Sequence, residues 1–398
     1  MKLPLLPPSK SLKGKKIFLR VDWNVPLKGA FAADESLKIL RSAQTIKDLS
    51  SRGAIVLVAT HLGRPKKREA EYSTENLLKR LPAEIGLKPV FLGDALDEKT
   101  GLENAAKKIV KATPGDVFLL ENVRFYTGEE KNDLKLAKAY VALSDFYMND
   151  AFASSHRAHA SIVAVAKLLP SYAGPTLVQE VSAMEKLLGK PKRPYVALIG
   201  GAKLTTKLPV IDALLKVADK VMIGGAMAHP FFAVKKIEIG KSYTEKEGLA
   251  AARKMIKNPK IILPLDVVVA RKVAPGAKAS ACLVGKVNKT EAIGDIGPQT
   301  MQAWSAEIKK AKTIVWNGPL GVADIPAFSH GSLVIARAMA IRSKGEAYGV
   351  VGGGDTLPVV MESGMDEWFD HISTGGGAML EFIAKKGKLP GLAVLNKK

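Results

Sequence analysis

The sequence predicts an α/β protein made of two doubly wound, parallel-sheet lobes joined by a helix. Three observations carry this. Short apolar runs alternate with stretches of helical period, the pattern of βαβ units whose parallel strands are covered on both faces. The alternation comes in two blocks, separated by the turn-rich stretch Pro170-Ser171-Tyr172-Ala173-Gly174-Pro175. The chain, at 398 residues, is also longer than one ordinary domain.

In the first block the apolar runs Ile17–Val21, Ala54–Ala59, Val117–Leu120 and Phe146–Met148 read as buried strands. In the second, Val196–Ile199, Val221–Ile223, Ile261–Leu263, Ile314–Val315 and Val350–Val351 read the same way. Thr74–Arg80, Leu134–Leu143, Lys207–Lys216 and Thr300–Lys310 read as helices between them, and Val178–Leu188 as a helix bridging the lobes. The expected organisation is a first lobe over 1–170, a linker over 171–190, a second lobe over 191–380, and a tail over 381–398 that packs back toward the first lobe. Short-period repeats and low-complexity segments are absent.

Composition narrows the class. Apolar residues make up 47% of the chain and aromatics only 6%, as expected of aliphatic cores. No apolar stretch approaches the roughly twenty residues that a membrane helix needs. The proline-broken N-terminus does not read as a signal peptide. Cys282 is the only cysteine, which rules out an intramolecular disulfide and fits a reducing cytoplasm. A net charge of +22 favours anionic partners. Without a helix-turn-helix, zinc-finger or RNA-recognition signature, that charge does not predict specific nucleic-acid binding.

Open parallel sheets bind ligands beyond the C-terminal ends of their strands. In the first block those positions hold Asp22 and Asn24, then His61, Gly63 and Arg64, then Arg124, then Asn149, Asp150, His156, Arg157 and His159. Basic and amide groups dominate, which suits a small polyanion. In the second block they hold Gly200, Gly201, Lys203 and Lys207, then Gly224 and Gly225, then Asn317, Gly318 and Gly321, then Gly352-Gly353-Gly354-Asp355-Thr356. Glycines and lysines suit nucleotide phosphates, and Asp355 is the obvious carboxylate for Mg²⁺. The Walker A pattern is missing, which excludes a P-loop kinase.

In order and at family-like spacing, these segments resemble the phosphoglycerate kinase family over nearly the whole chain. The matching motifs include Arg20-Val21-Asp22-Trp23-Asn24-Val25-Pro26, His61-Leu62-Gly63-Arg64-Pro65, Glu121-Asn122-Val123-Arg124-Phe125 and His156-Arg157-Ala158-His159-Ala160-Ser161. They continue with Gly200-Gly201-Ala202-Lys203, Asp295-Ile296-Gly297-Pro298, Trp316-Asn317-Gly318-Pro319-Leu320-Gly321-Val322, Gly352–Thr356 and Ser373–Ala378.

The resemblance implies two Rossmann-like lobes closing about a hinge. It also implies reversible phosphoryl transfer between 1,3-bisphosphoglycerate and ADP, giving 3-phosphoglycerate and ATP, in a cytoplasmic monomer. Asp22, Trp23, Asn24, Lys38, His61, Leu62, Gly63, Arg64, Arg124 and Arg157 would bind the glycerate. Lys207, Gly224, Gly225, Asn317, Pro319, Asp324, Gly353, Gly354, Asp355 and Thr356 would bind the nucleotide, with Asp355 on Mg²⁺. Lys203, Lys38 and Arg157 would be the catalytic cations, and His156 and His159 would support them.

Three positions depart from the family pattern. Lys38 aligns with an arginine, after a turn one residue longer than usual, with Arg41 as the nearest substitute. Asp324 stands where the family usually has glutamate, and Ala226 replaces a glycine. The charge and Lys38 also motivate a rival reading, a catalytically impaired relative that binds anions or nucleic acid.

Overall fold

The computed structural model describes residues 1–8, 10–26, 33–79, 81, 86–96 and 98–396. The chain divides into two compact units, Met1–Ser182 with Gly387–Lys398, and Ala183–Lys386.

The first unit is built on β1 (Lys16–Arg20), β2 (Ile55–Ala59), β3 (Val90–Leu92), β4 (Val117–Leu120), β5 (Phe146–Asn149) and β6 (Ser171–Ala173). They pair in parallel in the order β3-β4-β2-β1-β5-β6, so all their C-terminal ends lie on one edge. Its helices are α1 (Ala33–Ser51), α2 (Glu98–Val110), α3 (Leu134–Ala142) and α4 (Pro175–Leu188). Ile39, Ala43, Ile46 and Leu49 recur at helical spacing along α1, and they join Ile17, Leu19, Val56 and Val58 in one buried cluster. Phe18 points to the opposite face, with its ring 4.6 Å from Tyr140 on α3 and 5.9 Å from Tyr147. The central strands β1, β2 and β4 are therefore covered on both sides, which is why they read as continuous apolar runs.

The turn-rich stretch around residue 170 is a correction to the expected boundary. Ser171–Ala173 is a strand that pairs with β5, so the first sheet continues past residue 170. The units divide at Ser182, inside α4. Buried Asp150, just beyond β5, closes the N-terminus of α4. It accepts from Thr176 N at 2.7 Å, Leu177 N at 3.2 Å and Thr45 Oγ1 at 2.8 Å. The helix expected over Thr74–Arg80 is a short 3₁₀ turn, Thr74–Leu77, and Arg80 lies outside the described residues.

The second unit's main sheet runs β15-β14-β13-β7-β8-β9, all parallel. Its strands are β7 (Tyr195–Ile199), β8 (Lys220–Ile223), β9 (Ile261–Ile262), β13 (Thr313–Asn317), β14 (Tyr348–Gly352) and β15 (His371–Ser373). A second, antiparallel sheet was not expected: β10 (Asp266–Ala270) lies between β11 (Ser280–Leu283) and β12 (Ala292–Ile296). The helices are α5 (Leu208–Val217), α6 (His229–Val234), α7 (Gly248–Met255), α8 (Pro298–Lys310), α9 (His330–Lys344), α10 (Leu357–Glu362) and α11 (Gly376–Ala384). α5 packs on α11 and α8 on α9.

The chain then returns to the first unit, where α12 (Pro390–Ala393) seats Gly391 against the segment that follows β5. Gly391 N donates to Ser155 O at 2.9 Å. Among the described residues no helix is long and apolar enough to cross a membrane.

Candidate active site

At the C-terminal edge of the first sheet, the chain beyond β1, β2, β4 and β5 brings together a cationic cluster. Asn24 Oδ1 accepts from Gly63 N at 2.8 Å, and Arg124 donates to Gly63 O. Gly63 sits at φ +57°, and a Cβ there would lie 2.3 Å from the Tyr72 ring, so this clasp requires glycine. His61 Nδ1 lies 3.9 Å from Asp22 Oδ1. Arg157 Nε donates to His156 Nε2 at 3.1 Å, so His156 orients the guanidinium.

The electrostatics of this edge are unbalanced. Burial, followed by the neighbouring Arg157, pushes the Arg124 guanidinium down to about 10, with Arg20 and Arg64 adding to it and Glu130 opposing. Burial and the surrounding Arg20, Arg124 and Arg157 hold His61 well below its ordinary value, so it is neutral. Burial raises Asp22, opposed first by Lys38 and then by Arg20. Asp22 Oδ1 is buried without a hydrogen-bond partner. Crowded guanidinium groups beside an unfilled acceptor are costly unless an anion carrying a hydroxyl arrives.

Of the residues expected here, Asp22, Asn24, Lys38, His61, Gly63, Arg64, Arg124 and Arg157 are brought together by these contacts and mutual fields. The side chains of Trp23 and Leu62 are not, and this corrects the expectation. Trp23 is fully buried in the core, its indole donating to Ser42 Oγ at 2.6 Å, and Leu62 belongs to the same cluster. Ser42 lies one turn after Lys38 on α1, so the Trp23 anchor sets the height of Lys38 at the sheet edge. Arg41 turns elsewhere, to the buried Glu180 on α4 at 3.5 Å. The turn preceding Lys38 falls at 27–32, outside the described residues.

Arg20 was quoted in a motif but given no role. It is 1% exposed and reaches His61, and its only warning in sequence is a charge ending an apolar strand.

In the second unit, glycines allow three strand-end loops to touch. A Cβ on Gly200 would lie 2.1 Å from Pro319 O, and one on Gly318 would lie 2.2 Å from Gly200 O. Lys207 Nζ occupies this junction, donating to Gly200 O at 2.7 Å, Asn317 Oδ1 at 2.9 Å and Asn317 O at 3.3 Å. Asn317 Nδ2 donates in turn to Gly352 O at 2.8 Å, and Gly318 N donates to Thr356 Oγ1 at 2.7 Å. Thr356 and Asn317 are buried and lock the loops to each other.

Lys203 and Lys207 do not share a helix face, as their spacing implied. Lys203 is exposed in the loop, while Lys207 closes a 3₁₀ turn and precedes α5.

Beside this junction lies a cavity of about 730 Å³, within the range of small-molecule sites. Gly225, Pro319, Asp324, Gly354 and Asp355 line it, with an apolar wall of Phe232, Val267 and Ile293. Two of the departures, Asp324 and Ala226, fall on this lining. Lys207, Gly224, Asn317, Gly353 and Thr356 form or adjoin the loop junction instead.

Among the described residues no group of three or more His, Cys, Asp or Glu could hold a metal. Asp355 is exposed in the loop that follows β14. That donor set suits a hydrated Mg²⁺ brought in on nucleotide phosphates, not a protein cage.

A cationic, anion-binding cluster on one parallel sheet and a nucleotide-sized cavity on the other define an α/β phosphotransferase. The family model described as phosphoglycerate kinase matches residues 9–386. The phosphoglycerate kinase of Dictyoglomus turgidum is 41% identical over 394 residues, covering 98% of this chain and 97% of that one. That of Thermus thermophilus is 41% identical over 392 residues, with 96% and 97% coverage. The solved phosphoglycerate kinase structures from Coxiella burnetii and Pyrococcus horikoshii superpose with TM-scores of 0.84 and 0.86. Their identities are 37% and 29%, each covering 98% of this chain and, respectively, 99% and 98% of the other. The chain belongs to the phosphoglycerate kinase family, and its reaction is the reversible, glycolytic transfer of a phosphoryl group to and from a nucleotide.

Proposed function

We propose that the first unit's cationic edge binds 3-phosphoglycerate or 1,3-bisphosphoglycerate and that the second unit's cavity binds ADP or ATP. The observation that carries the first assignment is the crowding of Arg124 by Arg157, Arg20 and Arg64 beside the unpartnered Asp22 Oδ1. Asp22 would accept the glycerate hydroxyl. Arg124, Arg157, Arg64 and His61 would take the carboxylate and the non-transferred phosphate.

The acceptor carboxylate attacks already ionised, so no strong general base is required. Catalysis then rests on alignment and on neutralising the equatorial oxygens of the phosphoryl group, the role we give Lys203, Lys38 and Arg157. Asp355 would hold Mg²⁺, which supplies charge neutralisation between the nucleotide phosphates. Direct transfer requires the two substrates to meet. α4 and the return at Lys386–Gly387, both at positive φ, are where we place a hinge-bending motion. We read the protein as a cytoplasmic monomer. No observation favours the impaired, nucleic-acid-binding alternative.

Arg157→Ala tests the division of labour. Its affinity for 3-phosphoglycerate is expected to fall by about 2–4 kcal/mol, with ADP binding to the free protein unchanged. Calorimetry showing equal losses for both ligands refutes the assignment.

A second test concerns Lys207, whose ammonium burial pushes down to about 8 against the raising effect of Asp355. Phosphates beside it would raise that value, so nucleotide binding is expected to take up protons at about pH 8.5. ADP titrations in two buffers of different ionisation enthalpy read the uptake directly. Proton release, or none exchanged, removes Lys207 from the phosphate site.

A further inference from the structure

The buried polar groups behind His61 form a directional chain that begins well away from any ligand. Glu129 is fully buried, and both of its carboxylate oxygens accept from Ser161, with His159 Nδ1 a further 3.8 Å from Oε1. Ser161 N donates to Oε2 at 3.0 Å, and Ser161 Oγ donates to Oε1 at 2.6 Å. With its proton committed to Glu129, Ser161 Oγ has a lone pair for Arg20 Nε at 3.0 Å. The remaining Arg20 donors go to Val21 O, to Ser154 Oγ at 3.5 Å and to His61 Nδ1 at 3.3 Å.

Arginine only donates, so this last contact makes Nδ1 an acceptor and leaves the ring proton on Nε2. His61 retains slight exposure at 8%, whereas Arg20 is only 1% exposed and spends its contacts on these buried groups.

The consequence reaches Asp22. His61 Nδ1 lies 3.9 Å from Asp22 Oδ1. A proton on Nδ1 would draw the two together and use up both groups. With Nδ1 unprotonated, Asp22 keeps its acceptor and His61 keeps an Nε2–H donor. Keeping a carboxylate buried is costly: burial raises Glu129, and the Arg20 charge and the two Ser161 hydrogen bonds oppose it. What the carboxylate does is fix one rotamer of Ser161 and, through that, the orientation of the Arg20 guanidinium.

We propose that Glu129 is a positioning residue for glycerate recognition, acting through Ser161 and Arg20 to hold His61 in its Nε2–H form and to keep Asp22 open for the substrate hydroxyl. The proposal deepens the glycerate-site reading and rests on it. Glu129 touches no substrate and acts only through the chain.

The test uses Glu129→Gln, which keeps the volume and removes the charge, and Ser161→Ala, which removes the bridge. In ligand-free protein labelled with ¹⁵N-histidine, wild type is expected to show His61 with Nδ1 unprotonated and Nε2 protonated. Both variants are expected to show a mixture of tautomers. In the coupled assay the KM for 3-phosphoglycerate is expected to rise about tenfold in each, with the KM for ATP within about twofold of wild type. Ser161→Thr, which retains the hydroxyl, is expected to stay close to wild type in both readouts.

Folded variants with an unaltered His61 tautomer overturn the proposal. So does a rise in both KM values together with a fall in melting temperature, the signature of a purely structural role. If wild type showed no turnover of 3-phosphoglycerate, the glycerate reading would fail. The tautomer measurement would still decide the chain, because it needs no substrate.

Discussion

Asp355→Ala is expected to lower Mg²⁺-dependent turnover by about 10²- to 10³-fold while the protein remains folded. The two halves of this expectation come from different features of the residue. Asp355 is exposed at the end of β14, next to Gly354, whose added Cβ would meet nothing within 4 Å. Surface substitutions in open surroundings usually change stability by only about 0.5 kcal/mol, so a normal melt is expected. The loss in rate follows because, among the described residues, no group of three or more His, Cys, Asp or Glu could hold the ion without it. Nothing else in that loop can take over a divalent cation, and the raising effect of Asp355 on the Lys207 ammonium disappears as well. A coupled assay over a range of Mg²⁺ concentrations, alongside a thermal melt, checks both halves. A well-folded variant within about tenfold of wild type at all Mg²⁺ concentrations would remove Asp355 from the metal role.

The long strands were legible because both faces of each are buried. β2, β4 and β7 are apolar throughout and β1 and β13 have apolar centres, and apolar runs bounded by turn signals are what a central parallel strand looks like in sequence. β6 (Ser171–Ala173) and β15 (His371–Ser373) are three-residue edge strands with polar members, and they carry too little pattern to register. The antiparallel β10–β12 sheet escaped for a related reason. β11 is largely exposed, and β12 contains Gly294 and Asp295 within a five-residue run.

The strand-end rule led to the candidate residues because parallel topology puts every C-terminal end on one edge. Its errors came from treating motifs as contiguous. In extended chain neighbouring side chains point opposite ways, so a site facing Asp22 and Asn24 sends Trp23 inward. Leu62, beside His61, is buried in the same cluster. Glu129 carried no signal in sequence and Ser161 only its place in a motif, because the two lie 32 residues apart and their contact exists only in the folded unit.

Lys38 and Arg41 are expected to separate cleanly. Lys38→Ala should reduce turnover by about 10²- to 10³-fold with little change in stability, a few kcal/mol of lost transition-state electrostatics. The basis is position: Lys38 is the largest charge contribution opposing the burial of Asp22, which places its ammonium in the field of the glycerate cluster. Arg41 stands one turn away on α1, but its guanidinium is 3.5 Å from Glu180, whose side chain is 1% exposed. Removing it takes a cation away from a buried carboxylate, so Arg41→Ala should destabilise the first unit by about 1–3 kcal/mol and alter turnover only in proportion to the protein lost. Lys38→Arg should be tolerated, because a guanidinium adds a second parallel hydrogen bond to a phosphoryl oxygen without changing charge. Denaturant melts and initial rates on the three variants give both coordinates for each. A stable Arg41→Ala protein without turnover, beside an active Lys38→Ala protein, would show that Arg41 leaves Glu180 during catalysis and is itself the catalytic cation.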